Sequence, residues 1–160
     1  FLNFGILGAL GAWTVQTGTM SWTPAIWAVP MSLLVIAILH ANNWRDIKSD
    51  SSGDIKTIAT LLGDKSSEKY YIFLLLGPFL IIIALLALTR ISGGLQPMPL
   101  AFLITLLAIP LALKLINKGR NRFNSDQPLD FLALDGATAQ LNLLFGILCV
   151  AALGVDKLIA

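Results

Sequence analysis

Five apolar stretches limit what this chain can fold into more than any other feature. They cover residues 1–18, 24–39, 70–89, 99–116 and 136–155, and the second carries its pattern on to about residue 42. A helix needs about 20 apolar residues to cross the hydrocarbon core of a bilayer. In lipid every backbone amide must find its partner inside the segment, so these stretches are expected to be helices. The composition agrees: 56% of residues are apolar and 12% charged, with a mean hydropathy of +0.80. A soluble domain carries about 25% charged residues. The expected fold class is therefore an all-α integral membrane protein with about five transmembrane helices.

The charges gather between the spans. Arg45, Lys48, Lys56, Lys65 and Lys69 stand in or beside the second connection, and Lys114, Lys118, Arg120 and Arg122 at the fourth. The connections at 19–23 and 92–98 carry no charge. By the positive-inside rule both basic loops face the cytoplasm of a multi-pass protein, which places the motif loop, about 43–69, on that side of the cell (plasma or inner) membrane. The net charge of +2 follows loop position and does not point to a nucleic-acid partner. Pro30, Gly77-Pro78 and Pro110 fall inside spans and are expected to kink them. Gly5, Gly8, Gly11 and Gly146 would let helices approach closely. Trp13, Trp22, Trp27 and Trp44 are spaced as an interfacial aromatic belt. The single cysteine, Cys149, excludes an internal disulfide and reads as a packing residue. The chain begins at Phe1 inside an apolar pattern and reads as part of a longer protein.

Three of the nine acidic residues, Asp46, Asp50 and Asp54, follow one another at four-residue intervals just past the second span. If that helix continues beyond His40, Asn42, Asp46 and Asp50 share a face. Bare carboxylates so placed repel each other, and a divalent cation removes the penalty. Magnesium, a hard ion held by one or two carboxylates plus substrate phosphates, suits the pattern. A charge at mid-membrane costs about 2.5–3.5 kcal/mol on insertion scales, so the group belongs at the mouth of a cavity. By spacing alone, a solvated loop explains these residues equally well. Asp126 and Asp130 repeat the spacing, but Pro128 between them disfavours a shared helical face; Asp135 could complement the last helix's N-terminus. Arg120 and Arg122 read either as phosphate or headgroup contacts or as topology signals.

The wider string decides between the two readings. Asn42-Asn43-x-Arg45-Asp46-x-x-x-Asp50, then Thr57-Ile58-Ala59 and Leu62-Gly63, resembles the second aspartate-rich motif of the UbiA superfamily of membrane prenyltransferases. Within that group it is most similar to the 1,4-dihydroxy-2-naphthoate polyprenyltransferases of menaquinone biosynthesis. Val15-Gln16-Thr17-Gly18 and Thr138-Ala139-x-Leu141-x-Leu143-x-Phe145-Gly146 also resemble segments of that family.

The resemblance implies the C-terminal part of a nine-helix bundle, helices five to nine, lacking the first aspartate-rich motif and inactive alone. It implies transfer of a polyprenyl group from polyprenyl diphosphate to an aromatic quinone precursor, with Mg2+ on Asp46 and Asp50. Asn42, Asn43, Arg45 and Lys56 would hold the diphosphate; Asp54, Lys48, Gln16 and His40 are weaker candidates. In an ungapped reading the family's Gly-Lys falls on Asp54-Ile55, which displaces the lysine to Lys56. The alternatives are a 4-hydroxybenzoate or other UbiA-type enzyme and, from another class, a non-enzymatic transport or cation-binding subunit. The five spans carry no central charge, which favours the enzyme.

Overall fold

A computed structural model describes residues 1–91, 96–123 and 131–159, and among these there is no strand. The first stretch is helical from Leu2, wound as a π-helix over Leu2–Leu7 and continuing as α1, Gly8–Thr17. A short α2, Thr23–Trp27, leads into α3, Val29–Arg45. The polar connection holds α4, Ile47–Ser52, and α5, Ile58–Leu62. The long α6, Asp64–Ile91, follows. A 3-10 segment, Leu100–Ala108, runs into α7, Ile109–Arg120, with a further 3-10 turn at Asn121–Phe123. The chain closes on α8, Leu134–Ile159.

Three of these, Asp64–Ile91, Leu100–Arg120 and Leu134–Ile159, are long and apolar enough to cross a membrane. The first two expected spans are helical too, but shorter: α3 has 17 residues, and a turn at Ala28 separates it from α2.

Packing follows helical periodicity. In α3, Leu34, Ala37, Ala41 and Trp44 are fully buried at steps of three and four. In α6, Tyr71, Leu75, Phe79 and Ile82 repeat the pattern. α3 lies between α6 and α8, and α8 also packs on the 3-10 segment. Phe79 and Phe145 meet edge to face with centroids 5.7 Å apart at the α6–α8 contact. Two glycines make close crossings possible. A Cβ on Gly5 would stand 2.7 Å from Ser32 Cβ, and one on Gly146 would stand 2.8 Å from Met31 Cε. A Cβ on Gly11 would meet nothing within 4 Å among the described residues.

The prolines fall at three different kinds of position. Pro30 stands in the first turn of α3, just after the turn at Ala28, where a missing N–H removes no helical hydrogen bond, and Pro110 stands where the 3-10 segment passes into α7. Pro78 lies well inside α6, whose helical hydrogen bonding resumes beyond it.

The two basic regions come together at one end of the bundle. Arg120 reaches Glu68 at 3.3 Å, Arg122 pairs with Asp64, and Arg45 pairs with Asp135. At the opposite end Arg90 donates to the Met98 carbonyl at 3.1 Å, beside the end of α8. The structure therefore agrees with the charge pattern that put both basic loops on one side.

Candidate functional site

The helix does continue past His40. Asp46 N–H donates to the Asn42 carbonyl at 3.1 Å, and Asp50 N–H to the Asp46 carbonyl at 2.9 Å. The three residues thus occupy successive turns, although Asp46 itself opens the ladder slightly between α3 and α4 (φ −93°, ψ 9°). Their side chains are partly exposed, Asp46 by 42%.

Arg45 organises this end. Its Nε and Nη2 donate to both oxygens of Asp46, at 3.0 and 3.1 Å, and its Nη1 donates to Asp135 Oδ2 at 2.6 Å. Asn42 Nδ2 donates to the same Asp135 oxygen at 3.3 Å. One guanidinium therefore joins two carboxylates from helices far apart in sequence. Its bonds to Asp46, then those to Asp135, lift the Arg45 pKa further above its ordinary value, so the group stays charged. Asp50 has no ion pair among the described residues. Three carboxylates against one guanidinium leave a formal charge of −2.

This donor set fits a hard divalent cation. It offers carboxylate oxygen on two successive turns, with both oxygens of Asp46 held by Arg45. Among the described residues no three His, Cys, Asp or Glu side chains converge as a metal-binding group. Asp135 is a partner of Arg45.

The remaining sequence candidates separate. Asn43 is half-buried beside Asn42. Lys48, Asp54 and Lys56 are exposed and make no ion pair among the described residues. Asp54 adopts φ 54°, in the left-handed region that favours glycine. That is the position where the family's glycine falls in the ungapped reading. Gln16 is exposed on the last turn of α1. His40 is buried on the other side of α3, where its Nε2 lies 3.1 Å from the Ser67 carbonyl and its ring meets Tyr70 edge to face at 4.8 Å. That carbonyl can only accept, so Nε2 carries the proton. Asp126 and Asp130 lie outside the described residues.

Two roles were not read from the sequence. Trp44, placed there in an interfacial belt, is fully buried and donates from Nε1 to Asp64 Oδ1 at 2.8 Å. Arg122 pairs with the same Asp64 oxygen and lies over the rings of Phe131 and Trp44, 4.5 and 5.8 Å from their centroids. Arg122 and Arg120 are therefore tied to the first turn and a half of α6. The rest of the motif string is architectural. Thr57 caps α5 through a reciprocal pair with Thr60, with bonds of 2.8 and 3.1 Å. Ala59 is fully buried, and Gly63 turns the chain at φ 74°.

Known proteins give this geometry a context. A sequence model of the UbiA prenyltransferase family matches residues 1–134. UbiA prenyltransferase domain-containing protein 1 of Mus musculus is 37% identical over 149 residues, 93% of this chain and 40% of that protein. The protein of the same name from Gallus gallus is 36% identical over the same shares. The one from Homo sapiens is 35% identical, covering 93% of this chain and 39% of its own length. The chain thus spans about two fifths of the length of these curated relatives. The extent of the family match, together with the motif on α3 and α4, places the chain in the UbiA prenyltransferase family.

Proposed function

We propose that this chain supplies one wall of a membrane-embedded active site that transfers a polyprenyl group from polyprenyl diphosphate to an aromatic acceptor. The observation that carries the reading is the pair Asp46 and Asp50 on successive turns, with Arg45 beside them, at the polar end of an apolar helical bundle. Asp46 and Asp50 would hold Mg2+, with the diphosphate at the cytoplasmic side of the cell membrane. The bound ion would supply Lewis-acid polarisation of diphosphate oxygens. Arg45 and Lys56 would neutralise the leaving diphosphate as it takes the electron pair of the broken carbon–oxygen bond. Asn42 and Asn43 would donate to its oxygens. The apolar faces of α3 and α8 would keep water from the allylic cation until the ring attacks.

The acceptor proposed is 1,4-dihydroxy-2-naphthoate, a menaquinone precursor, whose ring forms the new carbon–carbon bond and loses its carboxylate as carbon dioxide. The Asn42-Asn43 pair and Val15-Gln16-Thr17-Gly18 support that choice. A second aspartate-rich loop, outside this chain, would complete the metal and diphosphate site.

The test uses the full-length protein. Prenyl transfer from labelled polyprenyl diphosphate is measured across a magnesium titration for the unmodified protein and Asp46→Asn. A loss of about 100-fold or more at saturating magnesium is expected, and a near-normal rate rejects the assignment. Offering dihydroxynaphthoate and 4-hydroxybenzoate separately identifies the acceptor by the product formed.

A further inference from the structure

Asp135 belongs to α8, remote from the motif, yet it receives the shortest of the hydrogen bonds that Arg45 makes. The consequence lies in what Arg45 does to Asp46. With Nε and Nη2 on the two carboxylate oxygens, the guanidinium occupies the atoms a metal would need. A cation can chelate both oxygens of Asp46 on that side only as Arg45 withdraws. Arg45 is 24% exposed, and a partly buried guanidinium stripped of its partner is costly. Asp135 removes that obstacle, because Nη1 already rests on it and stays paired while the other nitrogens let go. Asn42 holds the receiving oxygen, Asp135 Oδ2, in place at 3.3 Å.

We propose that Asp135 is a positioning residue for the metal site: it keeps Arg45 paired while Asp46 exchanges the guanidinium for a divalent cation. The inference rests on the reading of Asp46 as a metal ligand. Once displaced, Arg45 turns Nε and Nη2 toward the entering diphosphate, so one exchange both opens the metal ligand and arms the cation that meets the phosphate.

The experiment measures Mn2+ binding, by electron paramagnetic resonance, to the detergent-solubilised full-length protein. It compares the unmodified chain with D46N, D135N, R45Q and the double variant R45Q/D135N, and follows thermal unfolding of each. D46N should abolish one class of bound Mn2+. D135N should weaken that class about tenfold, as loss of a supporting partner beyond the ligands does. In the R45Q background, D135N should have no effect, because no guanidinium remains to be held aside. D135E, which keeps the charge, should restore most of the affinity and stands in if D135N unfolds.

Loss of affinity by the same factor in both backgrounds would mean that Asp135 acts only as a remote negative charge, which overturns the inference. So would unchanged affinity in D135N. In either case a D46N loss leaves the metal reading intact. If D46N binds all the Mn2+ of the unmodified protein, both ideas fall.

Discussion

The indole of Trp44 donates to Asp64 at 2.8 Å, fixing the residue just before Arg45 and Asp46 to the first residue of α6. Trp44 is fully buried, so its N–H has no water to turn to. Asp64→Ala should cost about 1–3 kcal/mol, the penalty for stranding a buried donor. The Arg122 pair adds little, since Asp64 is 36% exposed and solvent screens it. Asp64→Asn keeps an oxygen for the indole and should fall between. Thermal unfolding of the full-length protein checks the order; equal melting temperatures for the two variants would dissociate Trp44 from Asp64.

Two glycines of the first helical stretch should respond in opposite ways. Gly5→Ala drives a methyl into Ser32 and should destabilise by about 1–3 kcal/mol, as overpacking does. Gly11→Ala meets open space and should stabilise by up to about 1 kcal/mol through helix propensity. A pair of melting curves decides it, and destabilisation by both would mean that the face carrying Gly11 is also packed.

Asp54 occupies a left-handed backbone position at φ 54°. Asp54→Gly should relieve about 1 kcal/mol of backbone strain. The gain should appear as slower proteolysis between α4 and α5, together with retained prenyl transfer. A faster cut would show that the aspartate is preferred there for reasons other than conformation.

Tyr71 joins α6 to α8. Its hydroxyl lies 2.6 Å from Thr138 Oγ1, which itself donates to the Leu134 carbonyl at 2.7 Å, so the tyrosine is the donor between them. Tyr71→Phe should cost about 1 kcal/mol. Thr138→Val removes the acceptor and strands the buried Tyr71 hydroxyl, so it should cost more. If the two changes prove additive, the hydrogen bond carries no coupling.

The helical class and the grouping of both basic loops at one end were legible in the sequence, because hydropathy and charge placement act locally along the chain. The continuation of the helix from Asn42 through Asp50 was legible too, since four-residue spacing is a property of the helix itself. What escaped were partners set by tertiary packing. Asp135 lies 90 residues from Arg45, and Asp64 lies 58 from Arg122. Spacing cannot pair them. Trp44 misled because a tryptophan at a span's end reads the same whether it faces headgroups or a neighbouring helix.

The reach of the Arg45–Asp135 link also sets an order of events during synthesis. A nascent chain leaves the ribosome from its N-terminus, so α3 and α4 emerge long before α8 exists. Until α8 is inserted, Arg45 lacks the Asp135 carboxylate and keeps its neighbour Asp46. The Arg45–Asp135 link at this end therefore forms only once α8 is in place, and a message cut short before α8 would leave Arg45 without that partner.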